Sequence, residues 1–158
     1  MSRLVAHGVS VDVPRGWDAE IRTLEGADRH DTAVAPPSAP RVVLHAATVA
    51  LPPVRADYGG DMVHLLGGGG ILVVLLEFER ASAATALFAA PGPPRSLRAA
   101  DFSPRQLQHR IGDQTGVQRF FHAAGRAFCL YVVLGSHRRR SFAVPEVNRL
   151  LATLVIGP

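Results

Sequence analysis

Ile71-Leu72-Val73-Val74-Leu75-Leu76-Glu77-Phe78 decides how this chain is read. Six successive apolar residues follow a glycine tract and run into the charged Glu77, Glu79 and Arg80. A short continuous apolar run bounded by turn residues is a buried strand, and one that is apolar on both faces needs cover on each side of its sheet. Burying each large side chain contributes roughly 1.5–3 kcal/mol, so this strand is the expected spine of the core. Phe128-Cys129-Leu130-Tyr131-Val132-Val133-Leu134 has the same character. It belongs to a run, Arg126 to Leu134, that Ala124-Gly125 separates from the β-rich Val117 to Ala123, which is the signature of a hairpin. Arg41 to Leu51 is another β-branched, apolar strand, ended by Pro52-Pro53 because proline cannot donate to a central ladder.

Working outward, Val9-Ser10-Val11-Asp12-Val13 alternates as a half-buried strand. Pro14-Arg15-Gly16 predicts a turn, Trp17 a core anchor, and Ala19 to Leu24 a returning strand, giving an N-terminal hairpin. Glu25 to Pro40 is polar and proline-rich and reads as a loop. Asp61 to Leu66 predicts a short helix with Asp61 as N-cap and Gly67 as stop. Gly67 to Gly70 is a turn, and Ser82 to Phe88 a short Ala-rich helix ended by Pro91, Pro93 and Pro94. Ser103-Pro104-Arg105-Gln106 has capping-box spacing with proline at the first helical position, although 103–111 also alternates as a strand. Pro145 to Ile156 places Val147, Leu150, Leu151 and Leu154 on one helical face, with Pro145 and Glu146 in its first turn. The expectation is one α+β domain over residues 1–158, about six strands in a mainly antiparallel sheet with two to four helices packed on it.

Composition sets limits on function. At 47% hydrophobic residues the 158-residue chain can build a real core. Neither apolar run approaches the roughly 20 residues of a membrane-spanning helix. Met1 to Gly8 has no apolar signal region or cleavage motif, so the expected compartment is the cytoplasm. All 17 basic residues are arginine, and with abundant Ala, Gly, Pro and Val they carry the signature of GC-rich coding. The net charge of +4 is unevenly spread: residues 1–79 hold 6 Arg against 10 acids, and residues 80–158 hold 11 Arg against 3. That split of −4 and +8 marks either complementary halves of one fold or a basic face for an anionic partner. Arg119, Arg126, Arg138, Arg139 and Arg140 are the candidate residues for holding an anion or a partner.

No motif commits the chain to chemistry. The Gly67–Gly70 tract lacks the Gly-Lys-Ser/Thr ending of a phosphate loop and leads into a strand rather than a helix. The seven histidines form no ligand motif, though His45 and His122 on neighbouring strands are a candidate metal pair. Cys129 is the only cysteine and reads as a buried thiol. With His122 on the facing strand it forms the one candidate Cys–His couple. Glu77 and Glu79 lie on one side of a strand, at what reads as its solvated polar end. Arg126-Ala127-Phe128 departs from an RNA-recognition strand after its first positions, and aromatics are too thin for base stacking.

The opening Val11 to Trp17, Val-Asp-Val-Pro-Arg-Gly-Trp, with Val9 before it, resembles the start of PsbP-like α/β/α sandwich proteins, as does the closing hairpin Val117 to Leu134 followed by the helix after Pro145. The resemblance covers the first 25 and last 40 residues or so. Members of that superfamily include photosystem accessory subunits, a Ran-binding factor, secreted lipoproteins and secretion chaperones. It implies an α/β/α sandwich and a non-catalytic binding or assembly role, and it carries over no functional residue. The expectation is therefore a binding module that holds a protein partner, with no cofactor, metal or catalytic residue. The alternatives are an anion- or nucleic-acid-binding protein using the basic C-terminal half, and an enzyme with a Cys/His site assembled in space.

Overall fold

The apolar run at Ile71 is the third of five strands in a fully antiparallel sheet. A computed structural model describes residues 1–24 and 40–158; the expected loop at 25–40 falls, except for Pro40, outside them. The sheet contains β3 (Asp18–Thr23), β4 (Val42–Ala47), β5 (Ile71–Phe78), β6 (Thr115–Ala123) and β7 (Arg126–Leu134), in the order β3-β4-β5-β7-β6. A second sheet joins β1 (Ser2–Ala6), β2 (Val9–Val13) and the two-residue β8 (Val155–Ile156), in the order β1-β2-β8. The single α-helix among the described residues, α1, spans Arg140–Thr153. No helix there is long and apolar enough to cross a membrane.

β5 is covered on both faces, as its sequence requires. Ile71, Val73 and Leu75 join Phe128, Leu130, Val132 and Leu134 of β7 beneath β2 and the Val147, Leu150 and Leu151 face of α1. Leu72, Val74 and Leu76 join Cys129, Tyr131 and Val133 on the opposite face, beneath Met62, Val63 and Leu66. The period of two in a strand deals alternate residues to the two cores. The β6–β7 hairpin forms with Phe121 opposite Phe128 and their rings stacked. The outer edge of β6 is not left open: Ser103 exchanges backbone bonds with Gly116 (2.9 and 3.2 Å), and His122 does so with Ala90 and Gly92. Such cover blunts an edge that otherwise invites pairing with another chain.

Several expectations need correcting. The N-terminal hairpin does not form, because β2 and β3 belong to different sheets. β2 is buried along nearly its whole length and takes partners on both sides, β1 and β8, whereas β3 exposes alternate residues and pairs only with β4. The last helix starts five residues early, so Pro145 lies inside it. The carbonyl that loses an N–H partner to Pro145 belongs to the exposed Ser141, where water can replace the bond. The helix ends at Thr153 because Val155 and Ile156 pair with Ser10 and Val9. The other expected helices shrink to 3₁₀ turns. Over 82–88 there are two, Arg80–Ala84 and Ala86–Phe88, divided by an extended Thr85. The turn at Gly60–Leu65 is capped by a left-handed Gly59 rather than by Asp61. At Pro104–Gln106 Ser103 does cap, its Oγ accepting from Arg105 N–H (3.2 Å). Gln106 does not close the capping box, since its side chain donates to Asp101 O and accepts from Gln118 N–H.

Glu77 and Arg126 are the largest revision. Glu77 is not at a solvated strand end, and Arg126 is not on the surface; both side chains are 2% exposed and face each other. Arg126 Nε and Nη2 donate to Glu77 Oε1 and Oε2, each at 2.9 Å. Its Nη1 donates to His7 O (2.9 Å) in the β1–β2 turn and to Gly157 O (3.0 Å) after β8. Glu77 Oε2 also accepts from Val42 N–H (3.0 Å), where the β4–β5 ladder ends. The β1–β2 turn approaches so closely that a Cβ on Gly8, at φ +79°, would lie 2.7 Å from Arg126 Nη1.

The β6–β7 turn stores some strain. Ala124 (φ +51°) and Gly125 (φ +74°) both adopt positive φ, as a type I′ turn demands. An alanine there costs about 1 kcal/mol relative to a residue that tolerates the left-handed region. Ala124→Asn is expected to raise the urea midpoint by the equivalent of about 0.5–1 kcal/mol with an unchanged m-value. An unchanged or lower midpoint would contradict this account of the turn.

Candidate functional site

The second face of the sheet carries a cleft, and its first wall is the long β4–β5 connection. That connection leaves the sheet at Thr48 and returns at Ile71, and the two residues bond each other: Thr48 N–H donates to Ile71 O (3.0 Å), and Ile71 N–H to Thr48 Oγ1 (2.9 Å). Between them the chain folds back over Leu72 and Val74, burying Met62, Val63 and Leu66.

A buried polar knot pins this wall. His45 on β4 is fully buried. Its Nδ1 accepts from Arg55 Nε–H (3.0 Å), which leaves the proton on Nε2, donated to Asp57 O (2.8 Å). Arg55 also donates to Pro52 O (2.8 Å) and pairs with Glu20 of β3, while Arg22 donates to Arg55 O (2.8 Å). Burial is the main reason that His45 is pushed down to about 4; the Asp57 bond opposes this and the Arg55 charge adds to it.

The second wall is 107–114. Leu107 and Ile111 pack on the same core. Gln108 N–H donates to the Tyr131 hydroxyl (2.9 Å), and Gln114 Nε2 to Val63 O (2.7 Å), which links the two walls. Between them lies a cleft of about 330 Å³, with Tyr131 and Val133 of β7 as its floor and Tyr58, Val63, Leu107 and Gln114 on its sides. Tyr58 and Tyr131, the only tyrosines in the chain, meet edge to face at 5.5 Å. Burial pushes Tyr58 up to about 12 and also raises Tyr131, so both hydroxyls stay protonated at neutral pH. Gln114 Oε1 is the one buried side-chain oxygen or nitrogen among the described residues without a hydrogen-bond partner. The bond from Nε2 to Val63 O fixes which end of the amide is left over.

The expected site residues are distributed differently. Arg119 and Arg140 do converge, on the 3₁₀ turn Ala99–Asp101: Arg119 Nη2 lies 3.4 Å from Asp101 Oδ1, and Arg140 Nε donates to Ala99 O (3.1 Å). Arg138 and Arg139 are exposed beside them, whereas Arg126 is spent inside on Glu77. His45 and His122 cannot share a metal, because β5 and β7 stand between their strands. No group of three or more His, Cys, Asp or Glu among the described residues is placed to hold one. Cys129 faces Phe120, two residues from His122, and the His122 ring bonds Phe88 O (2.6 Å). Burial pushes the Cys129 thiol up to about 11. The cleft residues Tyr58, Gln108, Gln114 and Tyr131 had no motif to mark them. Their one legible trait was a tyrosine inside the apolar run Phe128–Leu134, since a buried tyrosine needs a partner for its hydroxyl.

Comparison with known proteins finds no matching family model, curated protein or solved structure.

The His45 knot makes the wall sensitive to acid. Protonated His45 cannot accept from Arg55, and its folded pKa lies below the unfolded value of 6.5. The unfolded state therefore binds the proton first as pH falls. The stabilisation is complete above about pH 6.5 and disappears towards pH 4, with about 3 kcal/mol at stake. Urea midpoints at pH 7 and pH 4 are expected to differ more in the wild type than in His45→Gln. Parallel pH profiles would refute this role.

Proposed function

We propose that the chain is a non-catalytic binding module that holds a protein partner, and that the cleft at Tyr58, Gln114 and Tyr131 seats a side chain of that partner. The observation that carries this reading is the unpaired Gln114 Oε1 beside an apolar cleft. Leaving a buried acceptor unpaired costs about 1–3 kcal/mol. An occupant that brings an N–H or O–H to it, directly or through one water, recovers part of that cost. The cleft lies at the small end of ligand pockets, suited to one or two side chains. Its floor, Tyr131 and Val133, carries no charge and Asp57 stands in its lining with His109, which favours an apolar or amide-bearing group over an anion. The resemblance of the opening and closing segments to PsbP-like sandwich proteins points the same way, since it implies binding or assembly rather than catalysis.

Ala56 lines the mouth of the cleft and is exposed, so Ala56→Trp fills the entrance without touching the core. Wild type and Ala56→Trp, matched for thermal midpoint, are compared by affinity capture from a native lysate. The reading predicts a protein retained by the wild type and lost from the variant. A solitary wild type, or the same proteins on both, would reject it.

A further inference from the structure

The arginines that converge form a surface of their own. Arg98 Nη2 and Arg119 Nη2 both reach Asp101 Oδ1, at 3.3 and 3.4 Å, so one carboxylate oxygen bridges two guanidinium groups. Arg140 bonds the same 3₁₀ turn through Ala99 O and bonds back to His137 O (2.7 Å). Arg138 and Arg139 follow on the exposed side, and neither has a carboxylate within ion-pair distance among the described residues. Asp113, the other nearby acid, accepts from the Ser136 hydroxyl (2.8 Å) and more distantly from Arg138 N–H (3.4 Å). Phe142, in the first turn of α1, is 81% exposed, the most exposed aromatic side chain described.

We propose that Arg98, Arg119, Arg138, Arg139, Arg140 and Phe142 form a docking face for an acidic protein segment that carries an apolar residue. Arginine and exposed aromatic groups are the side chains that dominate protein–protein hot spots. The Arg98–Asp101–Arg119 bridge shows these guanidinium groups already holding a carboxylate, the planar group that their fork matches. A single aromatic offers no series of stacking platforms, which disfavours a single-stranded nucleic acid. This face rests on the binding-module reading but is separate from the cleft. Ala56→Trp leaves it intact, and changes at Arg138 or Phe142 leave the cleft intact, so the two fail separately.

The test uses fluorescence anisotropy at low salt with three probes: a labelled peptide of glutamates around a central Leu-Leu, a single-stranded oligonucleotide of equal charge, and phosphatidylserine vesicles. The peptide is expected to bind most tightly of the three. Its affinity should fall about tenfold in Arg138→Glu/Arg139→Glu and several-fold in Phe142→Ala. Arg15→Glu, at the exposed β2–β3 turn, should change it less than twofold. All the altered side chains are exposed, and unchanged thermal midpoints confirm folding. No peptide binding, tighter binding of the oligonucleotide or vesicles, an unaffected Phe142→Ala, or an equal loss in Arg15→Glu would each overturn the proposal.

Discussion

The paired side chains of Glu77 and Arg126 are the constraint on which the arrangement of the two sheets depends. Arg126 enters from β7, Glu77 from β5, and the remaining guanidinium bonds go to backbone carbonyls after β1 and β8. Four of the five N–H groups of the guanidinium are thereby satisfied inside the protein. The Arg126 guanidinium also lies over the Phe128 ring, 5.2 Å from its centroid. A buried pair gains little net stability over a well-packed apolar pair, because two charges must be taken out of water. Its effect here is positional. Among the described residues, the β1–β2 turn and the segment after β8 supply the only acceptors that Arg126 Nη1 uses, so displacing the small sheet leaves a buried cation short of partners.

The opposite face follows a similar rule. His45 and Arg55 tie the β4–β5 connection to the sheet, and Gln114 ties 107–114 to that connection. Each wall of the cleft is thus fixed by buried hydrogen bonds rather than by regular secondary structure. The floor comes from β7, the same strand that supplies Arg126 on the other face. One strand therefore holds the two sheets together through Arg126 on its even-numbered face and presents Tyr131, on its odd-numbered face, to the cleft.

The sequence was most legible where periodicity alone decides. Ile71–Phe78 and the β6–β7 hairpin stand where their apolar pattern places them, since a run buried on both sides has few alternatives. Legibility failed where a residue's meaning depends on a distant partner. Glu77 beside Glu79 and Arg80 reads as a solvated end; only Arg126, 49 residues away, makes it internal. Arg126 in turn belongs to a basic C-terminal half and reads as surface. β1 had no strong alternation and became a strand because β2 needs a partner on each side. Of the candidate site, Arg119 and Arg138–Arg140 were visible as charge. The cleft was not, because its residues come from three separate segments and none carries a motif.

The most direct measurement of this account is a double-mutant cycle on Glu77→Leu and Arg126→Met in urea. Each single change strands a buried charge and is predicted to cost about 3–5 kcal/mol. The double variant is predicted to cost clearly less than the sum, with a coupling of at least about 1–2 kcal/mol. Small, additive losses below about 1 kcal/mol would show that the pair does not hold the two sheets together.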